Sequence, residues 1–519
     1  MGKEMTAQGP AVIAALSHAR RAFAWLLAAA LLAAHGPALA APVVRVGPQV
    51  LVGTAEGKGV ASFRGIAYAR APVGALRWQA PQPMPPRRGR IHATRFGPAC
   101  PQSDGNTRWY RNVAKAMGAA PKLIAGPERV GEDCLYLNVW TAAPRPLAPS
   151  KRRPVMVWIH GGSNENGYGH EPNYHGTQLA QQGVVVVSLN YRLGLLGFFA
   201  HPALGKDASG QQGLLDQVAA LRWVKANIAQ FGGDPARITL FGESAGGTDI
   251  AALAAMPEAQ GRFAQLILQS GYLAPAAVLS PAEAARFSLG LFAEDETASS
   301  LRAMPWQSLV ALQEKKLAGH FYAPVARMPL HLPVPALIGS NADENLMYLP
   351  QGEAAQTTEL AAELADFAPP QAARIRALTQ SKAEDPARRL ELVGAGKAFH
   401  CPSARLAAQA AAAGQRAYVY RFARVRPGGH GLGAYHGAEI PYVFDTADAW
   451  LPGDAADRRV SEAMQRYWVN FARSGNPNGA GLPLWPHWHS AQRAALELGD
   501  TVAPRPMPHA DLCALLMPE

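Results

Sequence analysis

Four cysteines in 519 residues are too few for a miniature fold stapled by disulfides, and their spacings match no zinc-ligand pattern. Charged residues make up only 17% of the chain, and no long block of one sign marks a solvated tail. Gly (50) and Pro (43) stay well below the roughly one quarter typical of low-complexity chains, and no internal repeat is found, so repeat arrays are excluded. The formal charge of +11 is not concentrated: the basic residues are scattered as pairs such as Arg87-Arg88, Arg152-Arg153 and Arg388-Arg389. Without a basic stripe interleaved with aromatics, a nucleic-acid surface is not expected, and solubility is the simpler reading of the charge.

Long apolar runs are also missing, apart from Ala22–Ala34 behind Arg20 and Arg21. That run is too short to cross about 30 Å of hydrocarbon. With Ala38-Leu39-Ala40 as a small-x-small cleavage site, it reads as a secretory leader over residues 1–40. The expected mature protein is therefore a single exported unit over 41–519, periplasmic or extracellular, with no membrane attachment. What is present is core: 49% of residues are hydrophobic. An even cysteine count in an exported chain suggests two disulfides; separation favours Cys100 with Cys134, although three connectivities are possible.

The chemistry concentrates at "LFGESAGGTDI", residues 240–250. Upstream, Leu214, Val218, Leu221, Val224 and Ile228 recur at helical spacing, "FGGDP" breaks that helix, and "ARITLF" reads as a strand. Downstream, "AGGTDIAALAAM" is helix-forming. Ser244 thus sits on a strand-to-helix turn, where side chains at 242 or 246 would collide with backbone and the following helix points N–H groups at a forming anion. Further strands are predicted at 154–160, 183–190, 264–271, 334–341 and 416–422, giving a large, mostly parallel sheet covered by helices on both faces. Gly161 and Gly162 follow the first of these and offer unobstructed N–H groups, the second half of an oxyanion hole with Ala245. A serine nucleophile needs a base. The later strands supply Asp343 or Glu344 and then His436, with His430 as a rival base.

The segments "FRGIAYARAPVGALRW", "EDCLYLNVW", "HGG", "NYRLGLLGF", "GESAGG", "SNADE" and "YHGAEIPYVF", in this order, resemble the type-B carboxylesterase and cholinesterase family of α/β-hydrolases. The resemblance implies a serine esterase without cofactor or metal, acting on small-molecule esters, with Ser244 as nucleophile, Glu344 as acid, His436 as base, and Gly161, Gly162 and Ala245 as oxyanion donors. It also implies the pairings Cys100–Cys134 and Cys401–Cys513, and structural ion pairs Arg77–Glu132 and Arg192–Asp216. Ser270 matches a family serine near the acid and is equally a turn serine. Glu243 is chained to the nucleophile and its side chain leaves the elbow in another direction, so it is not the orienting acid and is expected to support the site or line the pocket as a substrate-binding residue. Trp109 and Tyr110, inside the Cys100–Cys134 loop, either line the entrance or pack inward. Ser163 and Asn164 are expected to make the rim of the oxyanion hole polar, and the stretch 271–340 is short for a pocket wall. The family also contains non-catalytic adhesion proteins, which this chain does not match because it keeps every catalytic position. Amides, thioesters and lipids remain alternative substrates, and oligomeric state is not readable.

Overall fold

The chain opens with short strands, β1 (Val43–Val46), β2 (Gln49–Val52), β3 (Thr54–Gly57), β4 (Val60–Ala67), β5 (Gly89–His92) and β6 (Tyr136–Thr141). The apolar runs of the sequence then become β7 (Arg153–Ile159), β8 (Val185–Leu189), β9 (Gly233–Glu243), β10 (Gln265–Gln269), β11 (Ala336–Asn341) and β12 (Ala417–Phe422), followed by β13 (Ala494–Leu498) and β14 (Val502–Pro506). This computed structural model describes residues 41–518 apart from 121–123, 208, 275–276, 293–294, 318–320, 430, 448–449 and 490–491. The leader expected over 1–40 and the rival base His430 therefore lie outside the described residues.

Eleven strands form one sheet in the order β14-β13-β12-β11-β10-β9-β7-β8-β6-β4-β3, and β1, β2 and β5 make a small separate sheet. Pairing is parallel from β8 across to β13 and antiparallel at both margins. Strands buried on both faces account for the unbroken apolar runs. Along β7, Val155, Val157 and Ile159 face one cluster while Met156 and Trp158 face the other. The first cluster is completed by Leu214, Val218 and Leu221 from helix α1 (Gln212–Asn227) and by Ile250 and Leu253 from helix α2 (Ala245–Ala255). Val460, Met464, Trp468 and Phe471 of helix α3 (Ala455–Ser474) cover the opposite face. Among the described residues no helix is long and apolar enough to cross a membrane.

Two disulfides are present, Cys100–Cys134 and Cys401–Cys513. The ion pairs Arg77–Glu132 (2.6 Å) and Arg192–Asp216 (2.7 Å) also form, both nearly excluded from solvent. Strand order reverses around β7, which has β8 on one side and β9 on the other. In open α/β sheets such a switch point opens a crevice beyond the carboxyl ends of the strands. Ile159 at the end of β7 pairs with Gly242 near the end of β9. The loops bearing Gly161 and Ser244 therefore leave the sheet side by side.

Candidate active site

Ser244 is held in the turn between β9 and α2 at φ 56°, ψ −125°, a left-handed conformation that costs a non-glycine residue about 1–3 kcal/mol. The neighbours that permit it are those read from the sequence. A Cβ on Gly242 would stand 2.5 Å from the carbonyl of Ile159, and one on Gly246 only 2.1 Å from it. The Ser244 amide is anchored to the carbonyl of Gln269 at the end of β10 (2.9 Å).

His436 lies in the loop after β12 and Glu344 in the loop after β11, 92 residues apart in sequence. Nδ1 of His436 is 2.7 Å from Oε2 of Glu344, whose other oxygen accepts from the Asn341 amide (2.6 Å). Glu344 is fully buried. Asp343 turns elsewhere: it accepts from the Ala434 amide (2.8 Å) and pairs with Arg388. The choice that sequence left open between adjacent carboxylates is thus made by loop direction, and Glu344 is the one that meets the imidazole.

Glu243 lines the cavity and also faces the imidazole. Its Oε1 lies 3.2 Å from His436 Nε2, on the far side of the ring from Glu344. Sequence alone does not indicate this contact, which arises because the loop after β12 brings His436 to the Glu243 carboxylate. Burial disfavours an imidazolium here, but the carboxylates of Glu243, Glu344 and Glu439 outweigh it and raise His436 to about 9. Glu243 is itself pushed up to about 8, by burial and by Glu439, Glu344 and Glu171, against the opposing pull of His436. The flanking carboxylates thus favour the protonated imidazole.

These groups open into a cavity of about 520 Å³ lined by Ser244, His436 and Glu243 together with Gly161, Gly162 and Ala245. Among the described residues, none of the three backbone N–H groups of Gly161, Gly162 and Ala245 has a hydrogen-bond acceptor. No hydrogen bond joins Ser244 Oγ to His436 among these residues, a bond that in free enzymes often tightens only with substrate present.

Trp109 and Tyr110 lie on helix Gly105–Ala116 and take different parts. Both touch the cavity, but Tyr110 is 4% exposed and donates to Glu171 Oε2 (2.6 Å), an inward anchor. Trp109 stands at the rim, its Nε1 donating to the hydroxyl of Tyr348 (2.9 Å). Tyr272 and Phe321 from the short 271–340 stretch still contribute to the wall. Ser163 lines the cavity, whereas Asn164 does not: it is fully buried against Asp249 and adds nothing to the rim, because its side chain finds its hydrogen bonds inside the core. Ser270 is buried at φ 46° with its amide on the Gly339 carbonyl (2.8 Å).

Sequence reasoning missed Glu439, Tyr348 and Phe399. Glu439 accepts from Gln269 Nε2 (3.0 Å) and Asn341 Nδ2 (2.7 Å), tying together the carboxyl ends of β10 and β11. Its place three residues after His436 in "HGAE" was a visible signal. Phe399 packs its ring 5.2 Å from the imidazole, and nothing local to it announces that.

The carboxylesterase family pattern matches residues 47–509. The chain is 33% identical to para-nitrobenzyl esterase of Bacillus subtilis (strain 168), covering 90% of this chain and 96% of that protein. It is 36% identical to fumonisin B1 esterase of Sphingopyxis macrogoltabida, over 83% of this chain and 82% of the relative. Among solved structures, a carboxylesterase of Geobacillus stearothermophilus superposes with a TM-score of 0.78 at 32% identity, covering 92% of this chain and all (100%) of that one. With an α/β-hydrolase sheet, a serine on a strained elbow and this likeness along nearly its whole length, the chain belongs to the carboxylesterase family and is a carboxylic ester hydrolase.

Proposed function

We propose that Ser244, His436 and Glu344 act as a catalytic triad with Gly161, Gly162 and Ala245 as the oxyanion hole. The observation that carries this reading is the 2.7 Å contact between His436 Nδ1 and Glu344 Oε2 behind a cavity that also holds Ser244. Ser244 Oγ attacks the ester carbonyl carbon while His436 Nε2 takes the hydroxyl proton, and the carbonyl oxygen becomes an oxyanion facing the three N–H groups. Collapse of this intermediate breaks the bond to the alcohol oxygen, which receives the proton from His436. Water, deprotonated by the same imidazole, then attacks the acyl-enzyme and releases the carboxylic acid and Ser244. Glu344 keeps the ring oriented and stabilises its charged form throughout.

The aromatic lining by Trp109, Tyr348, Phe399, Tyr272 and Phe321 favours medium-sized and aryl esters. Export of a single 41–519 domain is part of the same proposal, supported by the leader-like terminus and by two disulfides, which persist in oxidising compartments. The test is an ester panel varying acyl and alcohol size, run beside labelling with a fluorophosphonate. The expected outcome is an adduct on the peptide containing Ser244 and preferred cleavage of aryl esters. Hydrolysis of no ester, or an adduct on another serine, would defeat the assignment.

A further inference from the structure

The loop that presents Gly161 and Gly162 is unusual in its backbone. Gly162 (φ 97°), Ser163 (φ 58°) and Asn164 (φ 57°) are three successive residues in the left-handed region, and only one is glycine. L side chains disfavour that region, although Asn tolerates it better than most, so surrounding contacts must hold the segment there. Its carbonyls are all engaged: Gly162 O accepts from the amides of Glu165 (3.0 Å) and Asn166 (2.9 Å), Ser163 O from Tyr322 (3.0 Å) and Asn164 O from Gly194 (2.7 Å).

The Asn164 side chain is fully buried and has partners on every side. Nδ2 donates to Asp249 Oδ1 (3.0 Å) and to the carbonyl of Tyr322 (3.1 Å). The Tyr191 hydroxyl shares its proton between Asn164 Oδ1 (3.0 Å) and the carbonyl of His160 (2.8 Å), the residue just before Gly161. Asp249, also fully buried, receives Gln217 Nε2 on its other oxygen (2.5 Å). Among the described residues no cation pairs with Asp249. The carboxylate is therefore held by two side-chain amides, Asn164 and Gln217.

Asp249 lies on α2, the helix whose first residue is Ala245. The Asn164–Asp249 bond thus joins the two structures that supply oxyanion donors: the loop with the Gly161 and Gly162 amides, and the helix with the Ala245 amide. We infer that the Asn164–Asp249 pair is a positioning device for the oxyanion hole, fixing the spacing between its two halves and acting on the transition state rather than on substrate binding. The inference rests on the triad reading above. Neither residue lines the cavity, so an effect on turnover must be transmitted through the loop and the helix that the pair joins.

Asn164→Gly retains the left-handed backbone while deleting the amide, and Asp249→Ala deletes its partner. Both should lower kcat for an aryl acetate by about tenfold with KM within about twofold, since misplaced donors lose transition-state stabilisation only. The inhibition constant of a trifluoromethyl ketone, whose adduct with the serine places an oxyanion in the hole, should weaken by the same factor. Asp249→Asn should recover most of the lost kcat, because its Oδ1 can still accept from Asn164 and its Nδ2 can face a flipped Gln217 amide. Variants that stay folded at the assay temperature yet keep kcat and ketone affinity, or lose only KM, would overturn the inference. So would two truncations that simply unfold, since the pair would then be structural. Ser244→Ala assayed in parallel separates the two readings: if it is inert while Asn164→Gly matches the wild type, only the positioning role falls, and if it still turns over, both fall.

Discussion

Nε2 of His436 lies 3.2 Å from Oε1 of Glu243, while Nδ1 of the same ring lies 2.7 Å from Oε2 of Glu344. The imidazole is therefore flanked by two nearly solvent-free carboxylates, and its pH behaviour follows from that. To take the Ser244 proton it must be neutral. Its acid dissociation is raised, to about 9, so the neutral base is lost as pH falls through a value above the ordinary 6.5 or so. The rising limb of kcat/KM against pH is expected between about 7 and 9, above the range of about 6 to 7 of an unperturbed histidine. Glu243→Gln removes one flanking charge and should move that limb down by about one pH unit. A wild-type midpoint at or below 6.5, or a limb unmoved by Glu243→Gln, would show that the contact does not govern the base.

The two adjacent carboxylates should separate cleanly in kinetics. If the proposed triad operates, Ser244→Ala is expected to lower turnover about 10⁶-fold and Glu344→Gln about 10³- to 10⁴-fold, because a triad works as a unit and its acid fixes the imidazole. Asp343→Asn should stay within a few-fold, since its carboxylate meets Arg388 and the Ala434 amide rather than the imidazole. Circular dichroism and thermal unfolding would distinguish lost chemistry from lost fold; a severe Asp343→Asn beside a mild Glu344→Gln would reverse the assignment.

Reduction should destabilise the protein unevenly. Each bridge contributes about 2–4 kcal/mol. The Cys401–Cys513 loop spans 112 residues against 34 for Cys100–Cys134, which favours the longer one by about 1 kcal/mol of chain entropy. Thermal unfolding of paired Cys→Ser variants measures this difference. Native thiol titration should find no free cysteine, because all four are bonded.

Legibility in the sequence followed how local each interaction is. The elbow was readable because Gly242, Ser244 and Gly246 act on one turn, and the sheet because its strands are short apolar runs with helices between them. The amino-terminal antiparallel strands were not marked, as short edge strands such as Thr54–Gly57 carry little apolar signal. The polar residues after Gly162 suggest a polar rim for the oxyanion hole, but the Asn164 side chain satisfies itself against Asp249, 85 residues away. For Glu243 the sequence shows only its attachment to Ser244, whereas its contact with His436 depends on a loop 193 positions later. Contacts of that kind are set by packing, to which local spacing gives no access.

The rim pair Trp109–Tyr348 joins residues 239 positions apart and offers the sharpest test of substrate preference. Trp109 is only partly buried and touches the cavity, and its indole also packs edge-on against Tyr110, with ring centroids 5.0 Å apart. Tyr110 needs no substrate to hold it, being buried and bonded to Glu171. Replacing Trp109 with Ala therefore removes an apolar wall without disturbing the anchor beneath, and the lost contact should be felt most by a flat aromatic group. For aryl esters KM is expected to rise about tenfold, equivalent to about 1.4 kcal/mol, with kcat little changed. Short aliphatic esters, which do not extend to the rim, should be nearly unaffected. Tyr348→Phe keeps the ring but frees the indole N–H, and should produce the same preference in weaker form by letting Trp109 move. Equal losses on aryl and aliphatic esters, or a lowered Tm in Trp109→Ala with no selectivity, would make the tryptophan a structural residue of the disulfide loop and remove the basis for an aryl-binding rim.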